Sequence, residues 1–128
     1  MSVRVLLVDN HESARVALAE RLRRDGRLEL VGAVAGTEEA QRVLDGTPVD
    51  VVLLDLHTRR HDGAGECRML RALTDAPLVL LVSFMTPEHW EELRQAGASA
   101  HLLKHIDTQK LSGEIARLAS GAPAENGA

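Results

Sequence analysis

Five polar residues in this 128-residue chain stand at or just past the ends of short apolar runs. Asp9 and Asn10 follow Val3–Val8, Asp55 closes the run Val49–Leu54, Ser83 follows Leu78–Val82, and Lys104 follows Ala100–Leu103. Two carboxylates, a carboxamide, a hydroxyl and an amine form a set suited to phosphoryl transfer. A carboxylate can be the nucleophile. A hard cation bound by oxygen ligands offsets charge on the transferred group. A hydroxyl and an ammonium can hold the phosphoryl oxygens.

These residues can meet only if the runs lie side by side. Three of the runs are near-continuous in Val and Leu, the pattern of strands buried on both faces of a parallel sheet. A fifth run, Leu28–Val34, is broken by Glu29 and Gly32 and reads as closer to a sheet edge. Helical segments are expected between the runs, at Ala14–Arg24, Thr37–Leu44, Gly65–Leu73, Pro87–Ala96 and Thr108–Leu118. Thr37 is placed as an N-cap, with Glu38 and Glu39 in the first turn. Pro87 suits a first helical position and Gly97 the residue past a helix end. Alternating strands and helices predict an α/β fold with right-handed crossovers. In such a sheet ligands bind outside the carboxyl ends of the strands, where the five polar residues fall.

Composition bounds the function. The length suits one domain, and 45% apolar with 27% charged residues is an ordinary globular balance. The net charge of -4 argues against direct nucleic-acid binding by these residues. One cysteine, Cys67, excludes an internal disulfide and suits a reducing cytosol, so a cytoplasmic location is expected. No stretch approaches the length of a membrane span or a signal peptide. Residues 1–119 read as the domain, and 120–128, rich in Gly, Pro and Ala, as a flexible linker or tail.

Val5-Leu-Leu-Val-Asp-Asn-His11, Asp50-Val-Val-Leu-Leu-Asp-Leu56, Asp62-Gly63, Ser83 and Gly97-Ala-Ser-Ala-His-Leu-Leu-Lys104 together resemble the receiver domain of bacterial two-component response regulators. The flavour is similar to the subfamily with a LuxR-type helix-turn-helix output, and the likeness runs from about Val3 to Leu118. It implies a flavodoxin-like (βα)5 three-layer sandwich with parallel strand order 2-1-3-4-5. It also implies Asp55 as phosphoacceptor, Ser83 and Lys104 as phosphoryl contacts, and Mg²⁺ held by Asp9, Asn10, Asp55 and the backbone carbonyl of His57. A histidine kinase is the implied donor. An output domain outside this chain, DNA-binding in that subfamily, is the implied target. The resemblance is to a signalling module, not an enzyme.

The chain departs from the family pattern at four places. The second acidic-pair position is Asn10, which contributes no charge and weakens the expected Mg²⁺ affinity. The loop after Asp55, Leu56-His-Thr-Arg-Arg-His-Asp-Gly63, is basic and lacks proline. His105 rather than proline follows Lys104, so no cis bond is expected there. His101 occupies the position of the aromatic switch, which puts the usual coupling to Ser83 in question. Two mechanisms stay open: a phosphoacceptor with reduced Mg²⁺ affinity, and an atypical receiver that binds proteins or ligands without phosphorylation. A metal-dependent phosphohydrolase lacks a second acid–base pair. A flavodoxin is disfavoured by the acidic loop Asp9-Asn-His-Glu12.

Other residues read more plainly. His11, His57, His61 and His105 fall in loops at the active end and read as solvated histidines, with a transition-metal site as the sharper alternative. Arg59 and Arg60 read as a solvated loop. Cys67 reads as a packing residue. Trp90 reads as helix packing, and a homodimer through Phe84, Trp90 and the fourth and fifth helices is one route by which phosphorylation would act.

Overall fold

The computed structural model describes residues 2–56 and 63–121. Ten elements alternate: β1 (Val3–Val8), α1 (Glu12–Arg23), β2 (Leu28–Val34), α2 (Thr37–Gly46), β3 (Val51–Asp55), α3 (Gly63–Leu73), β4 (Leu78–Val82), α4 (Pro87–Gln95), β5 (Ala100–Leu103) and α5 (Thr108–Ala119). The strands form one parallel sheet in the order β2-β1-β3-β4-β5. This is the flavodoxin-like arrangement expected from the sequence.

Side chains of a strand alternate between faces, so each central strand feeds two cores. Val5 and Leu7 of β1 join Val51, Leu53, Val79, Leu81, Ala100 and Leu102 under α1 and α5. Leu6 and Val8 join Val52, Leu54, Leu80 and Val82 under α2, α3 and α4. Helices contribute Leu18, Leu22, Leu111 and Ile115 to the first layer, and Cys67, Leu70, Trp90 and Leu93 to the second. Each fully buried Leu or Ile contributes about 1.5–3 kcal/mol of apolar transfer. With so few aromatics, the fold rests on many such aliphatic contacts.

β2 is an edge strand, as its interrupted pattern suggested. Its register against β1 shifts between Val5 and Leu6, with Val31 as the extra residue. Arg4 and Asp50 pin the start of β1 to the segment before β3: the Arg4 backbone N–H donates to Asp50 Oδ2 at 2.8 Å, and its Nε donates to the same oxygen at 3.1 Å. With Asp50 so engaged, β3 begins at Val51 rather than Val49, and it runs through Asp55.

Three helix starts differ from expectation: those of α1 and α2, and that of α3, which begins at Gly63 rather than Gly65. α1 begins at Glu12, because the Asp9 carboxylate turns the chain at His11 and the helix enters two residues earlier. Thr37 is the first residue of α2 rather than its cap; Gly36 is the N-cap and supplies no side chain. The Thr37 hydroxyl instead faces Met69 Sδ at 4.0 Å. α4 and α5 do carry side-chain caps: Thr86 Oγ1 accepts from the His89 N–H at 3.1 Å, and Asp107 Oδ1 from the Lys110 N–H at 3.0 Å. α3 begins at Gly63, where a Cβ would lie 3.0 Å from Leu56 Cδ1 and 3.2 Å from Leu93 Cδ2.

The turn between α4 and β5 needs glycine. Gly97 sits at φ +117°, and a Cβ there would lie 2.9 Å from the Cβ of Arg71. Arg71 uses the close approach. Its Nη2 and Nε donate to Gly97 O at 2.9 and 3.2 Å, and its Nη1 donates to Thr74 O at 3.0 Å and Ala76 O at 2.9 Å. One guanidinium thus ties the end of α3 to the turns that lead into β4 and β5.

Candidate phosphoryl-transfer site

The alternation that builds the core also gathers the site. Continuing the Val5, Leu7 phase of β1 puts Asp9 on the α1/α5 face. The same step along β3 (Val51, Leu53) puts Asp55 there, and along β5 (Ala100, Leu102) puts Lys104 there. Neighbouring strands end level: Val8 pairs with Leu54, and Asp55 with Leu81. Ladder hydrogen bonds run past the strand ends. The Asp9 N–H donates to Val34 O, and the Lys104 N–H to Val82 O, each at 2.9 Å. The side chains are therefore positioned by sheet backbone rather than by loose loops.

Lys104 Nζ lies 2.6 Å from Asp55 Oδ1. The Asp55 side chain is only 6% exposed and that of Lys104 20%, so the pair lies where screening by water is weak. Asp9 is fully buried. Its Oδ1 accepts the His11 N–H at 2.9 Å, and its own carbonyl accepts from Arg15 Nη1 at 2.9 Å. Arg15 was not singled out in the sequence. Its spacing from Asp9, six residues across a helix start, is the signal that would have found it.

Asn10 is exposed in the turn before α1, and Ser83 is exposed in the bend after β4. Both sit at the same end of the sheet as the Asp9, Asp55 and Lys104 cluster. His57, His61, Asp62, Arg59 and Arg60 lie outside the described residues. His11 and His105 are exposed, and among the described residues no three His, Cys, Asp or Glu side chains group as a metal site.

Two buried carboxylates at adjacent strand ends, with a carboxamide in the neighbouring turn, are hard oxygen donors that fit a divalent cation. They bring two negative charges where a third acidic residue in place of Asn10 would bring three.

The position of His101 follows from the same alternation. One residue out of phase with Lys104, it points to the opposite face, and it is buried beneath α4 with its ring 4.7 Å from that of Trp90. Burial lowers its pKa below the ordinary imidazole value. Trp90 is buried as well, so it is a packing residue. Cys67 is fully buried, and desolvation pushes its thiol up to about 12, the behaviour of a structural cysteine. Phe84, by contrast, is 72% exposed at the active end.

The family model for the response regulator receiver domain matches residues 5–116. The chain belongs to that family. Among curated relatives, this receiver domain is 30% identical over 122 residues to the transcriptional regulatory protein LiaR of Bacillus subtilis, covering 94% of this chain and 58% of that protein. It is 30% identical over 120 residues to the DNA-binding transcriptional activator DevR/DosR of Mycobacterium tuberculosis, covering 93% of this chain and 55% of that one. The chain thus spans a little over half the length of these relatives. Among solved structures, a LuxR-family two-component response regulator from Aurantimonas sp. SI85-9A1 superposes with a TM-score of 0.81 at 25% identity, over 97% of this chain and 89% of that one. Receiver domains of this family bind Mg²⁺ at an acidic pocket and pair with histidine kinases and output domains. No described helix of this one is long and apolar enough to cross a membrane.

Proposed function

We propose that this receiver domain accepts a phosphoryl group on Asp55 from a histidine kinase and passes the change to an output domain that controls transcription. The observation that carries the reading is the buried Asp55 carboxylate, held by Lys104 at 2.6 Å beside the buried Asp9. An Asp55 oxygen attacks phosphorus while the bond from phosphorus to the donor's imidazole nitrogen breaks. The products are an acyl phosphate on Asp55 and the donor imidazole, which takes up a proton from water. Lys104 moves from the carboxylate to the phosphoryl oxygens, and the Ser83 hydroxyl donates to one of them. Asp9, Asn10 and Asp55, with the carbonyl of His57, are the ligands assigned to Mg²⁺. When bound there, it supplies positive charge that offsets charge developing on the transferred group.

The domain assignment is residues 1–119, with 120–128 as a linker or tail. The support is that α5 ends at Ala119. A cytoplasmic location, no turnover of an external substrate and pairing of two copies through the Phe84 face belong to the same reading.

Intact mass after incubation with acetyl phosphate and Mg²⁺ tests it. A gain of one phosphoryl group that is absent in Asp55→Asn supports the assignment. A folded wild-type protein that gains nothing favours the phosphorylation-independent reading, for which Asn10 is the sequence observation.

A further inference from the structure

A cavity of about 230 Å³ opens between α1, α5 and the sheet, and the Asp55–Lys104 pair forms part of its wall. The space exists because α1 turns Ala14 and Ala17 toward it, three residues apart on one helix face, where longer side chains would fill it. Leu111 of α5 adds an apolar wall opposite. Arg21, one turn beyond Ala17 on the same face, reaches the same cavity. Its Nε donates to a neutral partner, Thr108 Oγ1, at 3.1 Å, and among the described residues no carboxylate pairs with it.

The lining therefore holds two cations, Arg21 and Lys104, against one carboxylate, Asp55. Lys104 is taken up by Asp55, and the buried Asp9 stands at the next strand end, so Arg21 is the cation left facing the cavity. We propose that this cavity is a binding site for a small organic monoanion: a short aliphatic carboxylate, its apolar body against Ala14, Ala17 and Leu111 and its charge on Arg21. A planar guanidinium suits a carboxylate because it can donate two parallel hydrogen bonds. The volume limits the occupant to a handful of non-hydrogen atoms, below the range of ordinary drug-sized pockets. Such a ligand binds in roughly the millimolar to high-micromolar range. The inference does not depend on phosphorylation of Asp55, since the cavity and its charges belong to the unmodified protein.

The test uses butanoate and its neutral isostere butanamide as probes in chelator-treated buffer, followed by amide chemical shifts of the labelled protein. Butanoate is expected to move the Ala14, Ala17 and Leu111 resonances saturably, and to bind about tenfold more tightly than butanamide, the effect of one charge-assisted pair. Arg21→Gln, at a half-buried position away from the core, is expected to erase that preference. Ala17→Leu is expected to abolish binding of both probes while the melting transition stays cooperative. No saturable shift at up to roughly 50 mM probe, equal binding of the two probes, or a preference that survives in Arg21→Gln overturns the proposal.

Discussion

The rings of Trp90 and His101 meet beneath α4 with centroids 4.7 Å apart and planes inclined by 58°. A titratable ring thus occupies a buried position that links β5 to the helix above it. Burial disfavours its charged form and lowers its pKa from 6.5. Between the folded-state and unfolded-state values the unfolded chain binds more protons, so stability falls as pH drops below the unfolded value. Above it this contribution is flat. Urea unfolding at about pH 7.5 and about pH 5.5 is expected to show a loss at the lower pH that is smaller in His101→Phe, which keeps a ring against Trp90. An identical loss in the variant would place the dependence on other groups.

Lys104 compensates charge at a site holding two buried carboxylates. Lys104→Met is expected to cost about 1–3 kcal/mol, less than breaking a fully buried pair, because the ammonium is partly exposed. Combined with Asp55→Asn the loss should be smaller than the sum of the single effects, since the second change removes the orphaned charge. Chemical denaturation of the four proteins measures this; strict additivity would mean that the pair contributes nothing.

Asn10→Asp adds a third negative charge near Asp9 and Asp55. Mg²⁺ affinity is expected to rise at least about tenfold, because attraction to a divalent cation outweighs the desolvation of one exposed side chain. Isothermal calorimetry reads the change directly. The same variant should be less stable without metal, since like charges are then brought together. Unchanged affinity would remove position 10 from the ligand set.

Gly97→Ala puts a methyl group into left-handed backbone and 2.9 Å from the Arg71 Cβ. A loss of about 1–3 kcal/mol is expected. Arg71→Met should lose about 2 kcal/mol, because carbonyls of Thr74, Ala76 and Gly97 lose a charged donor. Thermal melts of both variants check the pair. A Gly97→Ala protein as stable as wild type would mean that the turn has relaxed to another conformation.

The sequence by itself determined the alternation of five strands and five helices, and which residues end each strand. Val and Leu runs with polar residues at their carboxyl ends put Asp9, Asp55 and Lys104 at one end of the sheet. With one Trp, one Phe and no Tyr in the chain, the core has to be built from aliphatic side chains. Local chemistry also marked Pro87 at the start of α4 and Gly97 past its end, because such preferences act over a few residues. Where a side chain is captured by a distant partner, local signals misled: Thr37 faces Met69 instead of capping α2, and Asp50 holds Arg4, so that β3 starts later.

Only the tertiary structure decided which ends become neighbours. Asp55 and Lys104 are 49 residues apart, and their 2.6 Å contact depends on β4 lying between β3 and β5. The burial of His101 against Trp90, the reach of Arg71 to three carbonyls and the cavity left by Ala14 and Ala17 arise in the same way. Periodicity records which face of an element is apolar. It does not record what packs against that face, because crossover connections bring together side chains that share no local sequence.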